Sequence, residues 1–423
     1  MKAALVNPPW TFEGSIYFGC SEPHLPLELG YARALLREAG VEALLVDAHG
    51  EGLSDAAAAA RVAAFAPSFT VVSTAPTYLF WRCPPPELAV PKRFLQALGG
   101  AGGFTVAVGP HGSATPRATR AKLGCDLVIR GECEEAILEL ALAKDPQTVT
   151  GLYGGQAPLP APRAVDLSAL PALVWTGEEL DRHRHHHHRF DAPQAGLGAE
   201  VEASRGCPYA CTFCAKRDFR DSYRRRPLAT LLAEIDGLIA AGVGYLYFID
   251  EIFLPWPALL EALRARPVTF GVQTRLDLWG EEKIALLGAA GCVSIEAGVE
   301  SLSAAGRAAL AKECRLDTIA IERKLAFARV HVPFVQANLI AAPGDDPAEI
   351  AAFRARMLAV GVWANDPVPL FPYPSSPDYL RLFGPPDDQA WERAHAHYLS
   401  AFRAFSEIQT QAPAPLAELE GAA

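Results

Sequence analysis

Short apolar runs alternate with helical patterns along most of this chain. Residues 3–6 form an apolar run ended by Asn7-Pro8-Pro9, and 44–46, 70–73, 105–108 and 127–129 are further runs of strand length. Between them, apolar positions recur with helical spacing over 27–39, 56–65, 91–98 and 134–143, the first stopped by Gly40. This alternation predicts a doubly wound parallel sheet over residues 1–145. A second alternation begins at residue 200, with strands predicted at 200–203, 245–249, 268–273, 293–296, 335–340 and 368–371. Helices are predicted between them at 228–241, 256–265, 281–290, 303–310, 318–328 and 347–360. Six such units over 200–377 predict a partial (β/α)6 barrel of the TIM type, with its chemistry at the C-terminal strand ends. Residues 146–199 are rich in Pro and Gly and read as a linker. Residues 378–423 read as a helical cap over the barrel mouth, ending in a frayed tail over 412–423.

Composition narrows this α/β picture. A chain of 423 residues, half of them hydrophobic, has material for two or three cores. No apolar run approaches the length that spans a bilayer, so no membrane association is expected. The first residues read as a strand and turn rather than a signal peptide, which points to a reducing cytoplasm. A net charge of −10 argues against a general nucleic-acid binder. Nine cysteines spread over this length are no disulfide framework.

Three of them carry the chemistry. Cys207, Cys211 and Cys214 follow the spacing Cys-x3-Cys-x2-Cys, with Phe213 before the last thiol. Three thiolates on one loop suit an iron–sulfur cluster. On a [4Fe–4S] cube they leave one iron open to another ligand, whereas structural zinc would want a fourth Cys or His. The spacing and the aromatic resemble the radical S-adenosylmethionine enzymes. The resemblance implies that the open iron chelates S-adenosylmethionine, which one electron cleaves to a 5′-deoxyadenosyl radical, with flavodoxin or ferredoxin as donor. It also assigns the strand ends. Asp250 and Glu251 stand where the family binds the amino group of S-adenosylmethionine with a Gly-Gly-Glu-like turn. Gln273, Arg275, Ser294, Glu296 and Gln336 are further cofactor-binding candidates, and Phe371-Pro-Tyr-Pro-Ser375-Ser376-Pro377 resembles the family's closing segment. Arg224–Arg226 either close over the site or begin the next helix in solvent.

The N-terminal third resembles the Rossmann-like cobalamin-binding domain fused to many such enzymes. Asn7-Pro8-Pro9-Trp10, the helix start at Pro26–Tyr31 and Gly131-Glu132 carry this likeness. On a doubly wound sheet ligands sit at the strand ends. Ser73, Thr74, Gly109, Pro110, His111, Gly112, Gly131 and Glu132 are therefore candidates for holding cobalamin, the glycines by admitting close backbone approach. Asp47-x-His49-x-x-Gly52 matches the motif whose His ligates cobalt in cobalamin mutases. It follows the second strand rather than the first, so His49 is not assigned as a ligand. The run from Asp181 to Phe190 holds five histidines and three arginines and reads as a solvated or substrate-facing basic loop, favouring a polar or anionic small-molecule substrate.

The activity implied is cobalamin-dependent methylation of an unactivated carbon. The alternative is a rearrangement, cyclisation or oxidation without methyl transfer; a methylthiotransferase would need a further cysteine set and a C-terminal β domain, and a sensor would cleave S-adenosylmethionine only slowly. Cys211→Ala should abolish both the visible absorbance of an anaerobically reconstituted cluster and the cleavage of S-adenosylmethionine; a well-folded variant that keeps both would contradict the cluster assignment.

Overall fold

The structure is a computed structural model and describes residues 1–16, 22–77, 84–143, 145–183, 196–404 and 412–421. The first unit is a six-stranded sheet in the order β2-β1-β3-β4-β5-β6. Its strands are β1 Lys2–Asn7, β2 Glu42–Asp47, β3 Phe69–Ser73, β4 Phe104–Val108, β5 Leu127–Ile129 and β6 Leu152–Tyr153. The first five are parallel, and β6 adds an antiparallel edge in a stretch without sequence periodicity. Order reverses between β1 and β3, the place where such sheets bind ligands.

The second unit is a parallel sheet in the order β14-β13-β12-β11-β10-β7. It comprises β7 Leu197–Val201, β10 Val243–Phe248, β11 Thr269–Thr274, β12 Cys292–Glu300, β13 Phe334–Leu339 and β14 Trp363–Ala364. Two short strands, β8 Ser204–Arg205 and β9 Arg224–Arg225, pair antiparallel beside it. The predicted last strand at 368–371 is displaced: Trp363 and Ala364 pair with Gln336 and Ala337, and Val368 makes only an isolated bridge to Ile340. Pro367, Pro369 and Pro372 lack the N–H groups a ladder needs.

Doubly covered parallel strands usually read as continuous apolar runs. Those of the second sheet alternate instead. Val201, Phe248, Val272, Ile295 and Val335 join the hydrophobic core, while Glu200, Gly271, Ser294, Glu296 and Gln336 fall on the other face. Tyr247 of β10 reaches past β11 to donate to Glu296 of β12 at 3.2 Å, so the polar face is the concave one. Ser54, Asp317, Asp346 and Ser376 cap their helices by accepting a backbone N–H.

Three expectations change. The linker carries buried apolar residues: Leu167, Leu170, Leu173 and Trp175 join the main core. Trp175 lies against Gly30 of the helix Leu27–Glu38, where a Cβ would meet its ring at 2.7 Å. His183 of the basic run is buried, with Nδ1 against the Glu179 carbonyl and Nε2 against Asp47; the run's residues 184–190 lie outside the described residues. The C-terminal segment docks back on the first unit rather than simply capping the barrel. Trp391 donates to Thr115 at 3.0 Å, Lys122 pairs with Glu392 and Glu420, and Leu88 donates its N–H to Glu420 at 3.0 Å. Residues 412–421 are thus anchored, with Leu416 buried, and not frayed.

The two units meet through buried charge. Arg205 bonds Glu202 at 2.8 Å and Glu134 at 2.6 Å, and lies 3.6 Å from Glu132. Arg220 bonds Glu202 at 2.6 Å and Glu28 at 3.0 Å, with Glu251 at 3.4 Å. Removing one partner of such a pair strands the others in low dielectric, at about 3–5 kcal/mol. Arg205→Ala should therefore lower the thermal midpoint and open the junction to limited proteolysis; an unchanged midpoint and digestion pattern would show that the network does not hold the units together.

Candidate active site

The three cysteines lie on an irregular loop directly after β8, at the C-terminal end of the second sheet. Gly206 opens the loop with φ +76°, and a Cβ there would stand 2.1 Å from the Ser222 carbonyl oxygen, so only glycine fits. The loop is tied down from several sides. Lys216 Nζ donates to the carbonyls of Cys207 and Asp221 at 2.5 and 3.0 Å. Thr212 N–H donates to Leu310 at 3.0 Å, and Thr212 accepts from Asp378 N–H at 2.9 Å. Cys207 and Cys211 are half-buried, Cys214 is exposed, and none forms a disulfide. Burial raises the thiol pKa of Cys207 and Cys211; Lys216 beside the first and Lys312 beside the second oppose that rise. The Arg275 guanidinium lies 4.2 Å from the Tyr209 ring centroid, within the loop, and pairs with Asp277 at 2.8 Å.

Among the described residues no three His, Cys, Asp or Glu side chains are gathered into a metal-binding arrangement. The donor set nevertheless fits a cluster held by three legs: three thiols on one glycine-hinged loop, with Lys216 near Cys207 and Lys312 near Cys211.

Several candidates take structural duties instead. Asp250 accepts from Ala203 N–H at 3.0 Å and from the Ser204 hydroxyl, and burial pushes its pKa up to about 7. Glu251 accepts from Gly206 N–H at 3.0 Å and faces Arg220. Both carboxylates thus fix the approach to the cysteines. Glu132 is buried, bonded to Arg224 and Val165 N–H; burial opposes its ionisation, but Arg205 and Arg224 prevail and lower its pKa. Arg224–Arg226 divide: Arg226 is buried on Glu234 at 2.9 Å, Arg224 pairs with Glu132, and Arg225 is exposed and lies over the Trp256 ring. The glycines Gly112 and Gly131 admit the protein's own atoms. A Cβ on Gly112 would meet Val128 at 2.5 Å, and one on Gly131 the Arg163 backbone at 2.2 Å. His111 is buried, donates Nε2–H to the Pro85 carbonyl at 2.8 Å, and lies against Trp391 with ring centroids 4.4 Å apart.

Other candidates keep open functionality. Among the described residues the buried Thr74 hydroxyl at the end of β3 has no hydrogen-bond partner, and Ser73 reaches the Val6 carbonyl at 3.5 Å. Gly109 holds φ +127° just before Pro110 begins a short helix. Pro110, Ser113 and Ala114 share one cleft with Ala215, Asp218 and Phe219, which follow the last thiol, and with Tyr373, Ser375 and Trp391. The helix that follows β4 in the first unit and the segment that follows Cys214 in the second therefore face each other. His49 follows the edge strand β2, two strands from β3. Sequence reasoning missed Lys312, buried and paired with Glu300 at 2.9 Å between two residues, Ala311 and Glu313, of positive φ. It also missed Arg205 and Arg220, which share Glu202; nothing in the spacing of those residues marks them.

Residues 201–355 match the family model described as the radical SAM superfamily. An uncharacterized methyltransferase of Pyrococcus horikoshii is 25% identical over 324 residues, covering 72% of this chain and 66% of that relative, just under two thirds of its length. Among solved structures, the methyltransferase TsrM of Kitasatospora setae, with cobalamin and a [4Fe-4S] cluster bound, superposes with TM-score 0.70 at 18% identity, covering 89% of this chain and 76% of its own. The cobalamin-dependent radical enzyme OxsB with aqua-cobalamin gives TM-score 0.66 at 17% identity, covering 93% of this chain and 56% of its own. The chain thus carries a radical S-adenosylmethionine domain. Its α/β architecture, a Rossmann-like unit followed by a partial barrel, is the fold of cobalamin-dependent radical S-adenosylmethionine enzymes. Among the described residues no helix is long and apolar enough to cross a membrane.

Burial pushes the His111 pKa down to about 3, so the folded chain binds that proton less readily than the unfolded one. The associated stability is present above about pH 6.5 and is lost as pH falls toward 3. Thermal midpoints of wild type and His111→Gln should therefore converge as pH is lowered from 7 toward 4; parallel profiles would show that His111 titrates normally.

Proposed function

We propose that this protein is a cobalamin-dependent radical S-adenosylmethionine enzyme that methylates an unactivated carbon of a small molecule. The observation that carries this reading is the shared cleft. Ala215, Asp218 and Phe219, which follow the cysteine loop, and the short helix Pro110–Ala114 after β4 line one space. Residues 1–145 would serve as the cobalamin-binding domain and 200–377 as the radical barrel. When bound, the cluster with S-adenosylmethionine supplies a hydrogen-abstracting radical, and cobalamin supplies the methyl group.

The chain's own residues bind, orient and shield. The three thiolates hold the cluster, and Arg275 and Lys312 offset negative charge beside it. Thr74 and the backbone at Gly109 would face the cobalamin side; both ring nitrogens of His183 are taken up, by Glu179 and Asp47, so that imidazole is not disposed as a cobalt ligand. The docked C-terminal segment, through Trp391 and Tyr373, closes one wall of the cleft and keeps water from a reactive centre. A flavodoxin or ferredoxin would deliver the electron.

Product analysis of the anaerobically reconstituted enzyme with a substrate decides between the readings. Methyl transfer through cobalamin yields S-adenosylhomocysteine and 5′-deoxyadenosine in step with methylated product. 5′-Deoxyadenosine without coupled S-adenosylhomocysteine would instead establish a rearrangement, cyclisation or oxidation.

A further inference from the structure

The C-terminal segment carries a small core of its own. Ile16, Phe371, Tyr379, Trp391, Tyr398 and Leu416 belong to a buried cluster separate from the two larger ones, and among the described residues Ile16 is its one member from the first unit. Trp391 and Tyr398 lie on the helix Ala390–Ala401, and Leu416 opens the closing helix Leu416–Leu419. The last residues of this lobe reach the first unit at three points. Ala414 N–H donates to the Gly14 carbonyl at 2.8 Å, in the segment that follows β1. Glu420 accepts from Leu88 N–H at 3.0 Å, and Lys92 donates to its carbonyl at 3.4 Å, both in the segment that follows β3. Lys122, on the helix Pro116–Leu123 beyond β4, lies 2.8 Å from Glu420 and 2.6 Å from Glu392.

The order of the first sheet reverses between β1 and β3. The ligand crevice of such a sheet lies outside the carboxyl ends of those strands. Residues 412–421 therefore run as a strap from the chain leaving β1 to the chain leaving β3. Among the described residues the buried Thr74 hydroxyl just after β3 has no hydrogen-bond partner, as in a site that a polar ligand completes.

The strap is fastened differently from the junction of the two sheets. Arg205 and its carboxylates are at most 1% exposed, whereas the side chains of Lys122, Glu392 and Glu420 are 22%, 32% and 12% exposed. A pair that water reaches parts at little cost, but a sequestered one leaves uncompensated charge behind. The lobe's cluster is also not continuous with the larger cores, so it parts from the first unit with most of its own packing kept.

We propose that this C-terminal lobe is a gate over the switch-point crevice, fastened by Glu420 and Lys122, and that its release is the route by which cobalamin enters and leaves. The inference rests on the cobalamin reading of the first unit for the ligand; the fastening is the lobe's own.

Exchange of radiolabelled cyanocobalamin against an unlabelled chase, on the full chain without a cluster, tests this. A gate alters uptake and release together and leaves the equilibrium where it was, whereas a residue that touches the ligand alters the affinity. Glu420→Ala should speed both uptake and release roughly tenfold, the loss of one charge-assisted contact, with the dissociation constant moved by less than about threefold. Lys122→Gln should act in the same direction. Wild-type release should quicken with added salt, and release from Glu420→Ala should respond less; the wild-type salt response serves if a variant does not fold. Hydrogen exchange in residues 412–421 should rise in both variants with the circular dichroism spectrum unchanged. Variants that bind cobalamin with unaltered rates, wild-type release that ignores salt, or release that quickens while uptake does not would overturn the gate. A wild-type chain that binds no cobalamin would strike the cobalamin reading and the gate with it, whereas retained binding at unaltered rates strikes the gate alone.

Discussion

Everything about this molecule's chemistry depends on a buried charge network at the junction of its two sheets. Arg205 and Arg220 are almost wholly sequestered, and each bonds carboxylates from both units. Arg224 and Arg226 extend the network to Glu132 and Glu234, so four guanidinium groups face six carboxylates once Glu28, Glu134, Glu202 and Glu251 are included. The excess acid is consistent with burial raising the pKa of Glu28 to about 7 and that of Glu251 and Glu234 in the same direction. A network of this kind is weak evidence for stability, because desolvation opposes the Coulombic gain. It is strong evidence for a fixed geometry, because a partial rupture leaves uncompensated charge.

That geometry matters because Arg205 lies two residues before Cys207. Two of the three carboxylates that hold its guanidinium, Glu132 and Glu134, come from the segment after β5 of the first sheet. The cysteine loop is therefore placed by the first unit as much as by its own. Radical chemistry between two bound groups needs their reacting atoms near contact, and small displacements are expensive in rate. The C-terminal segment adds a second tie, since Trp391 and Glu420 return the chain to the first sheet after the last barrel strand.

Inside the barrel, polar residues face in and apolar residues face out to the helices. Such a cavity is stable only where its polar atoms find partners. Around Tyr247, Glu296 and Asn338 they do; at Gln273 and Gln336 two oxygens do not. The unfilled positions lie on β11 and β13, on either side of β12.

The sequence by itself determined the strand–helix alternation, both parallel sheets and the three-thiol loop. Hydrophobic period and cysteine spacing are local properties, legible without the fold. It misplaced the last barrel strand because a run of apolar residues between prolines looks like a strand until its missing N–H groups are counted. It did not show that Asp250, Glu251 and Glu132 bond the protein's own donors, that His111 donates to Pro85, or that Gly112 and Gly131 admit Val128 and the Arg163 backbone. Residue type at a strand end reports what a side chain or backbone is able to touch, not which of several neighbours it meets. Only the tertiary structure decided that Arg205 meets Glu134, that Trp391 covers His111, that Arg163 passes Gly131, and that Gln273, Glu296 and Gln336 stand abreast. Each of these contacts joins residues tens to hundreds of positions apart, and the energy that selects them is set by burial and register, which no local pattern encodes.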